Sequence, residues 1–187
     1  MSGLYIQTFT GKKFYWDRIE DNEYDIVDIA HALSMNCRFT GHTRRFYSVA
    51  EHCLMVSSMV PESLSLAGLL HDAAEAYVHD IPTPLKQWLR EHGHLVGDNL
   101  EKSIQSEIYL RFQCKPFPEE EVEIKMVDKR MGATEARDLM TGWPWPEWGP
   151  ERGYVPYENI DLTSEWLYDD IKTKYLKRFW SLGAGVV

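Results

Sequence analysis

The stretch GLLHDAAEAYVHDIPTPLK, residues 68–86, sets His71 beside Asp72, then Glu75, His79 and Asp80, inside an otherwise apolar run. The pattern predicts a helix from Pro61 through Val78, closed by Ile81-Pro82-Thr83-Pro84. At ~100° per residue, Leu66, Leu69, Leu70, Ala73, Ala76 and Tyr77 fall on one broad face. His71, Asp72, Glu75 and His79 form a polar stripe on the other. Solvated stripes usually carry Lys or Arg, and this one has neither.

Working outward, the chain reads as helical almost throughout. Residues 4–16 (LYIQTFTGKKFYW) are β-prone around a Thr10-Gly11 turn, which predicts a short hairpin. Residues 26–33 (IVDIAHAL) predict a short helix. Ser48-Val-Ala-Glu51 is a capping-box signature that opens a helix to about Met59. Further helices are expected over 85–90, 96–112, 119–141 and about 163–180. The prolines and glycines of TGWPWPEWGPERGYVPYE, residues 141–158, forbid regular structure. The expected architecture is a single all-α domain over 1–187 with a short N-terminal β-hairpin.

Composition narrows the function classes. The 187 residues are 44% hydrophobic and 26% charged, enough for a core that needs no disulfide or structural metal to form. Three cysteines, Cys37, Cys53 and Cys114, with no CxxC spacing, read as reduced thiols of a cytoplasmic protein. No signal-peptide core opens the sequence, and no apolar run approaches the ~20 residues of a membrane span. A net charge of −9 argues against a nucleic-acid polymer as partner, but not against a small anion at a local basic or metal site.

Two further residues sit where polar groups need a reason. His52 lies among Val49, Cys53 and Val56 on an inward face, as a satisfied core histidine or as a ligand. Asp128 shares a helical stripe with Ile124, Met131 and Leu139. An unpaired buried carboxylate costs several kcal/mol or becomes neutral, so Asp128 needs an Arg, a Lys or a metal. One divalent ion held by His52, His71, Asp72 and Asp128 satisfies all of these residues together. Mixed imidazole and carboxylate ligands suit Mn, Co, Fe, Ni or Zn better than Ca or Mg.

The order His52, His71-Asp72, Asp128 resembles the HD-domain metal-dependent phosphohydrolase superfamily. The longer pattern is more specific. SVAEH at 48–52, HDAAE at 71–75 and DIPTPLK at 80–86 resemble bacterial HD-type 5′-deoxynucleotidases, over roughly residues 28–138. The resemblance implies a helical bundle, one divalent transition metal and hydrolysis of deoxynucleotide phosphate esters. It implies that His52, His71, Asp72 and Asp128 are the metal ligands. It implies that Glu75 orients or deprotonates the attacking water, with Asp80 as a second acid near the water or the sugar 3′-hydroxyl. Arg38 corresponds to a phosphate-binding arginine, and Lys86 is a second candidate for that contact.

Departures from that pattern bear on the substrate. Phe39 stands where the monophosphatases carry tryptophan, and either stacks on a base or packs in the core. His42, four residues past Arg38, is a further candidate contact. The N-terminal TGKKFYWD and the Trp/Pro loop 143–148 look more like a phage-associated HD branch that includes dATP triphosphohydrolases. That loop reads as a lid, an oligomer contact or simple packing. The expectation is a 5′-deoxynucleotidase acting on deoxynucleoside monophosphates. A triphosphohydrolase on the same site is the alternative, for which Lys12, Lys13, Arg44, Arg45 and Arg130 are available cations. A non-catalytic metal- and nucleotide-binding module is the third reading. Glu135, two turns past Asp128, either braces the site or pairs with a neighbouring helix. His92-Gly-His94 reads as an exposed loop rather than a second metal site. The expected partner is a small deoxynucleotide, with homo-oligomerisation compatible with the resemblance.

Overall fold

The hairpin forms where the alternation predicted it. Strand β1 (Tyr5–Gln7) pairs antiparallel with β2 (Lys13–Tyr15), with Ile6 opposite Phe14 and Gly11 in the left-handed region (φ 89°) at the turn. Phe14 is buried and stacks on Tyr77 at 4.0 Å, and Trp16 Nε1 donates to the Tyr77 carbonyl at 3.3 Å. A two-stranded ribbon is marginal alone, so this packing holds it in place. The computed structural model describes residues 3–93, 97–142, 154–160, 162–163 and 168–183.

The rest is helical: α1 (Ile26–Met35), α2 (Val49–Met59), α3 (Ser65–Leu70), α4 (Glu75–Val78), α5 (Thr83–Glu91), α6 (Gly97–Arg111), α7 (Pro118–Leu139) and α8 (Tyr168–Ser181). Helix α2 is the centre, in contact with α1, α3, α7 and α8. Its entry is the capping box read from the sequence: Ser48 Oγ accepts from Glu51 N at 3.1 Å, and Glu51 Oε2 accepts from Ser48 N at 3.0 Å. Both residues are buried, and Arg45 closes on Glu51 Oε1 at 2.9 Å. Val49, Cys53 and Val56 of α2 meet Ile29 and Leu33 of α1, Leu69 of α3, and Tyr175 and Phe179 of α8 in one core. Gly68 permits the close approach of α3 to α2, because a Cβ there would lie 3.0 Å from Val60 Cγ2.

The expected single helix over 61–78 is two helices with a turn at 71–74 between them. In a continuous α-helix, Ala74 N would bond the Leu70 carbonyl. Here the Gln105 amide stands between them: Oε1 accepts from Ala74 N at 3.1 Å, and Nε2 donates to Leu70 O at 2.7 Å. Likewise the Leu69 carbonyl accepts from Tyr175 Oη at 2.8 Å, while Ala73 N turns to Leu70 O at 3.0 Å. Side chains inserted in the ladder break it, and Glu75, Ala76 and Tyr77 follow with i→i−3 bonds of 2.9–3.2 Å. The C-terminal helix is described over Tyr168–Ser181; Thr163 lies outside it, and residues 164–167, next to its expected start, lie outside the described residues. The Trp/Pro loop 143–148 and His94 lie outside the described residues; residues 154–158 carry neither helix nor strand, as expected. No described helix is long and apolar enough to cross a membrane.

Candidate metal centre

Three segments meet beneath α2. His52 comes from α2, His71 and Asp72 from the interrupted turn, and Asp128 from the middle of α7. Each offers one ligand atom, and the four atoms lie within 4.8 Å of one another. Metal–ligand bonds of about 2.0–2.2 Å place neighbouring ligand atoms about 3–4.4 Å apart, and the distances from either imidazole Nε2 to the other ligand atoms run from 3.2 to 4.0 Å. His52 Nε2 is 3.2 Å from His71 Nε2 and 3.2 Å from Asp128 Oδ1, and His71 Nε2 is 3.2 Å from Asp72 Oδ2.

The imidazoles are oriented from behind. His71 Nδ1 lies 2.8 Å from the Gly68 carbonyl, which can only accept, so Nδ1 carries the hydrogen. His52 Nδ1 lies 2.6 Å from Glu135 Oε1, and both residues are buried. With each Nδ1 so engaged, Nε2 is the nitrogen each ring turns to the cluster, and it offers a lone pair to a metal in the neutral imidazole. Two neutral imidazoles and two carboxylates balance a dication. Cys53 packs beside His71 and is not one of the four clustered ligands; burial pushes its thiol up to about 11.

The electrostatics describe a site that attracts positive charge. Burial opposes ionisation of Asp72, but His71, His52 and Arg38 outweigh it and hold its carboxyl far below the usual range. Burial likewise opposes protonation of His71, and Asp72 overrides it, raising the imidazole well above its ordinary value. Glu135 carries the supporting network. Against the cost of burial, Arg38 and His52 keep it ionised; it accepts from Arg38 Nε at 3.1 Å and from Tyr47 Oη at 3.0 Å. Arg137, by contrast, pairs with Asp138 at 2.6 Å.

The expected substrate contacts divide. Arg38 belongs to the centre, spanning Glu135 Oε2 and, at 3.5 Å, Asp72 Oδ2. It opens a tight turn in which Phe39 (φ 53°) and Thr40 (φ 54°) are left-handed, a costly backbone for a β-branched residue. Phe39 is partly buried, its ring 5.6 Å from the Arg38 guanidinium carbon. His42 is exposed and outside the cluster. Lys86 is held by Glu101 at 2.6 Å and so is not a free cation. Glu75 is buried, and its Oε2 has no hydrogen-bond partner among the described residues. Burial, with Asp72 and Asp80 nearby, pushes its carboxyl well above the usual range. Asp80 is raised by burial too, with Arg38 acting against the rise. His79, counted in the polar stripe, is exposed and meets Asn36 Oδ1 at 3.3 Å. His92 stacks on Trp88 at 4.2 Å.

The cations assembled from sequence for a longer phosphate chain are engaged elsewhere. Lys12 pairs with Asp25 and Glu23, Lys13 lies over Tyr5, and Arg45 binds Glu51. Arg44 donates to the Met140 carbonyl, and Arg130 to that of Val155 while lying over Tyr157. The lysines that do face the centre were missed. A cavity of about 450 Å³ opens on His71, Asp72 and Asp128 and is lined also by Lys102, Lys115 and Lys125. Gln105, Tyr47 and Asn36, whose Nδ2 reaches the Glu75 carbonyl at 3.4 Å, were missed as well. None carries a sequence signal, since each acts through a partner 31 to 88 positions away.

Fold and site together define an all-α protein with a His/Asp group able to hold a metal ion. No family model matches the chain. It is 42% identical over 135 residues, 72% of each chain, to the uncharacterized protein YfdR of Escherichia coli strain K12, and it belongs to the same family. It is also 35% identical over 99 residues, 48% of each chain, to the uncharacterized protein RCAP_rcc00048 of Rhodobacter capsulatus.

Proposed function

We propose that the protein is a metal-dependent phosphohydrolase of the HD type acting on deoxynucleotides. The observation that carries the reading is the convergence of His52, His71, Asp72 and Asp128 with both imidazoles fixed to present Nε2. A dication bound there supplies Lewis acidity toward a phosphoryl oxygen and lowers the pKa of water. The chain supplies the rest. Glu75, buried with an oxygen unpartnered among the described residues, accepts the proton of the attacking water in its ionised form. Arg38, fixed by Glu135, neutralises charge on the phosphoryl group. Asp80, beside Arg38 in the field of the site, positions the water or the sugar hydroxyl. A non-catalytic module has no use for a buried carboxylate oxygen without a partner, and Glu75 therefore favours catalysis. The resemblance favours a monophosphate as the hydrolysed group, with 5′-deoxynucleotidase as the activity.

The test is phosphate release with Mn or Co from deoxynucleoside mono- and triphosphates and matching ribonucleotides, with products separated. Turnover of any deoxynucleotide, lost in E75A while metal affinity stays within about twofold of the parent, supports the assignment. Turnover of none by metal-loaded protein removes the reading.

A further inference from the structure

The cavity beside the centre has a charge the proposed reaction does not use. Lys102 comes from α6, Lys115 from the connection after it and Lys125 from α7, one turn before Asp128. All three are exposed at the rim, and none has a carboxylate within ion-pair distance among the described residues. In a chain of net charge −9, three unpaired ammonium groups on one cavity stand against the overall field. An anion entering the cavity meets all three along its lining.

The balance depends on the cation site. Three carboxylates also line the cavity, Asp72, Asp128 and Glu121, which leaves the lining formally neutral. A dication on Asp72 and Asp128 leaves two net positive charges. A single phosphate at the centre is already served by the cation and Arg38. The lysines approach the centre by way of α6 and α7, whereas Arg38 enters from the turn before α2.

We propose that Lys102, Lys115 and Lys125 form a second anion subsite, which binds a phosphoryl group of the substrate other than the one at the cation cluster. This rests on the phosphohydrolase reading and changes its substrate: a nucleotide with at least two phosphoryl groups in place of the simple monophosphate that the resemblance favours. They belong either to one 5′ chain or to opposite ends of a nucleoside, and a cavity of about 450 Å³ is of ordinary size for such a ligand.

The test is binding of inorganic tripolyphosphate and of orthophosphate, at buffered free Mn²⁺, to the full chain and to K102M/K115M/K125M. The exposed positions make the variant a conservative one for folding, checked by its thermal melt. Exposed charge pairs are individually weak, so three together give about a tenfold preference for tripolyphosphate, which the variant loses and added salt weakens. A variant that keeps the preference, or a parent that has none, overturns the subsite. Titration with dAMP, dATP and deoxyadenosine 3′,5′-bisphosphate then separates the two sources: lysine-dependent gain for dATP marks a chain, for the bisphosphate a second end, and for neither overturns the proposal. Lysine-dependent binding without turnover removes the phosphohydrolase reading alone. Turnover of monophosphates with no lysine-dependent binding removes the subsite alone.

Discussion

Glu135 shows how one buried residue can set a site it does not enter. It touches no solvent, yet it holds His52, Arg38 and Tyr47 together. Replacing it with Gln keeps the shape and removes the charge that Arg38 and His52 face. Groups behind metal ligands are typically worth 10–100-fold in affinity, so E135Q should weaken Mn or Co binding by about that factor. Metal titration checks this; unchanged affinity would mean that His52 is oriented by packing alone. His79 makes the opposite case. It stands at φ 67°, ψ 162°, a region open to glycine and strained for any side chain, just before Asp80. H79G should therefore stabilise the fold by about 1 kcal/mol, less the loss of the Asn36 contact. A melting temperature that falls would show the imidazole to outweigh the strain.

The interrupted helix is the element on which the centre depends. Gln105 and Tyr175 occupy the carbonyls that a regular α-helix would use, and the resulting turn brings His71 and Asp72 toward α2 and α7. Without the Gln105 amide, Ala74 N and Leu70 O lose partners in a half-buried place. Q105L should cost about 1–3 kcal/mol. It should also weaken metal binding by letting the ladder regularise and turning His71 away. Loss of stability in denaturant melts with unchanged metal affinity would separate the two effects and leave the turn fixed by Tyr175 alone. Helix α2 needs no such help, because its capping box is local to four residues.

At the scale of the molecule, the four candidate ligands tie α2, the 71–74 turn and α7 to one point. A ligand that binds only the folded state stabilises it by about 2.7 kcal/mol at a hundredfold excess over Kd. For a domain of this size that is a rise in melting temperature of about 5–10 °C. Mn, Co, Ni or Zn should produce it, a chelator should reverse it, and D128A should abolish it. No metal-dependent rise in the parent protein would refute the cation site itself.

Periodicity and punctuation were enough for the helical class, the hairpin and the α2 cap, because each rests on interactions within a few residues. His52 and Asp128 were legible for a different reason: polar groups on apolar stripes cost free energy unless something compensates them. His71 and Asp72 were legible because their polar stripe carried neither Lys nor Arg. The helix over 61–78 misread its own ladder, because the groups that break it come from Gln105 and Tyr175, 31 and 106 residues from the atoms they bind. The cations of the cavity were sought among Lys12, Lys13, Arg44, Arg45 and Arg130, and the packing of α6 and α7 put Lys102, Lys115 and Lys125 there instead. Local sequence set which segments became helices and which polar residues needed a partner. Only the tertiary structure decided which partner each received, because a side chain's neighbours across the core depend on how helices cross and not on their order along the chain.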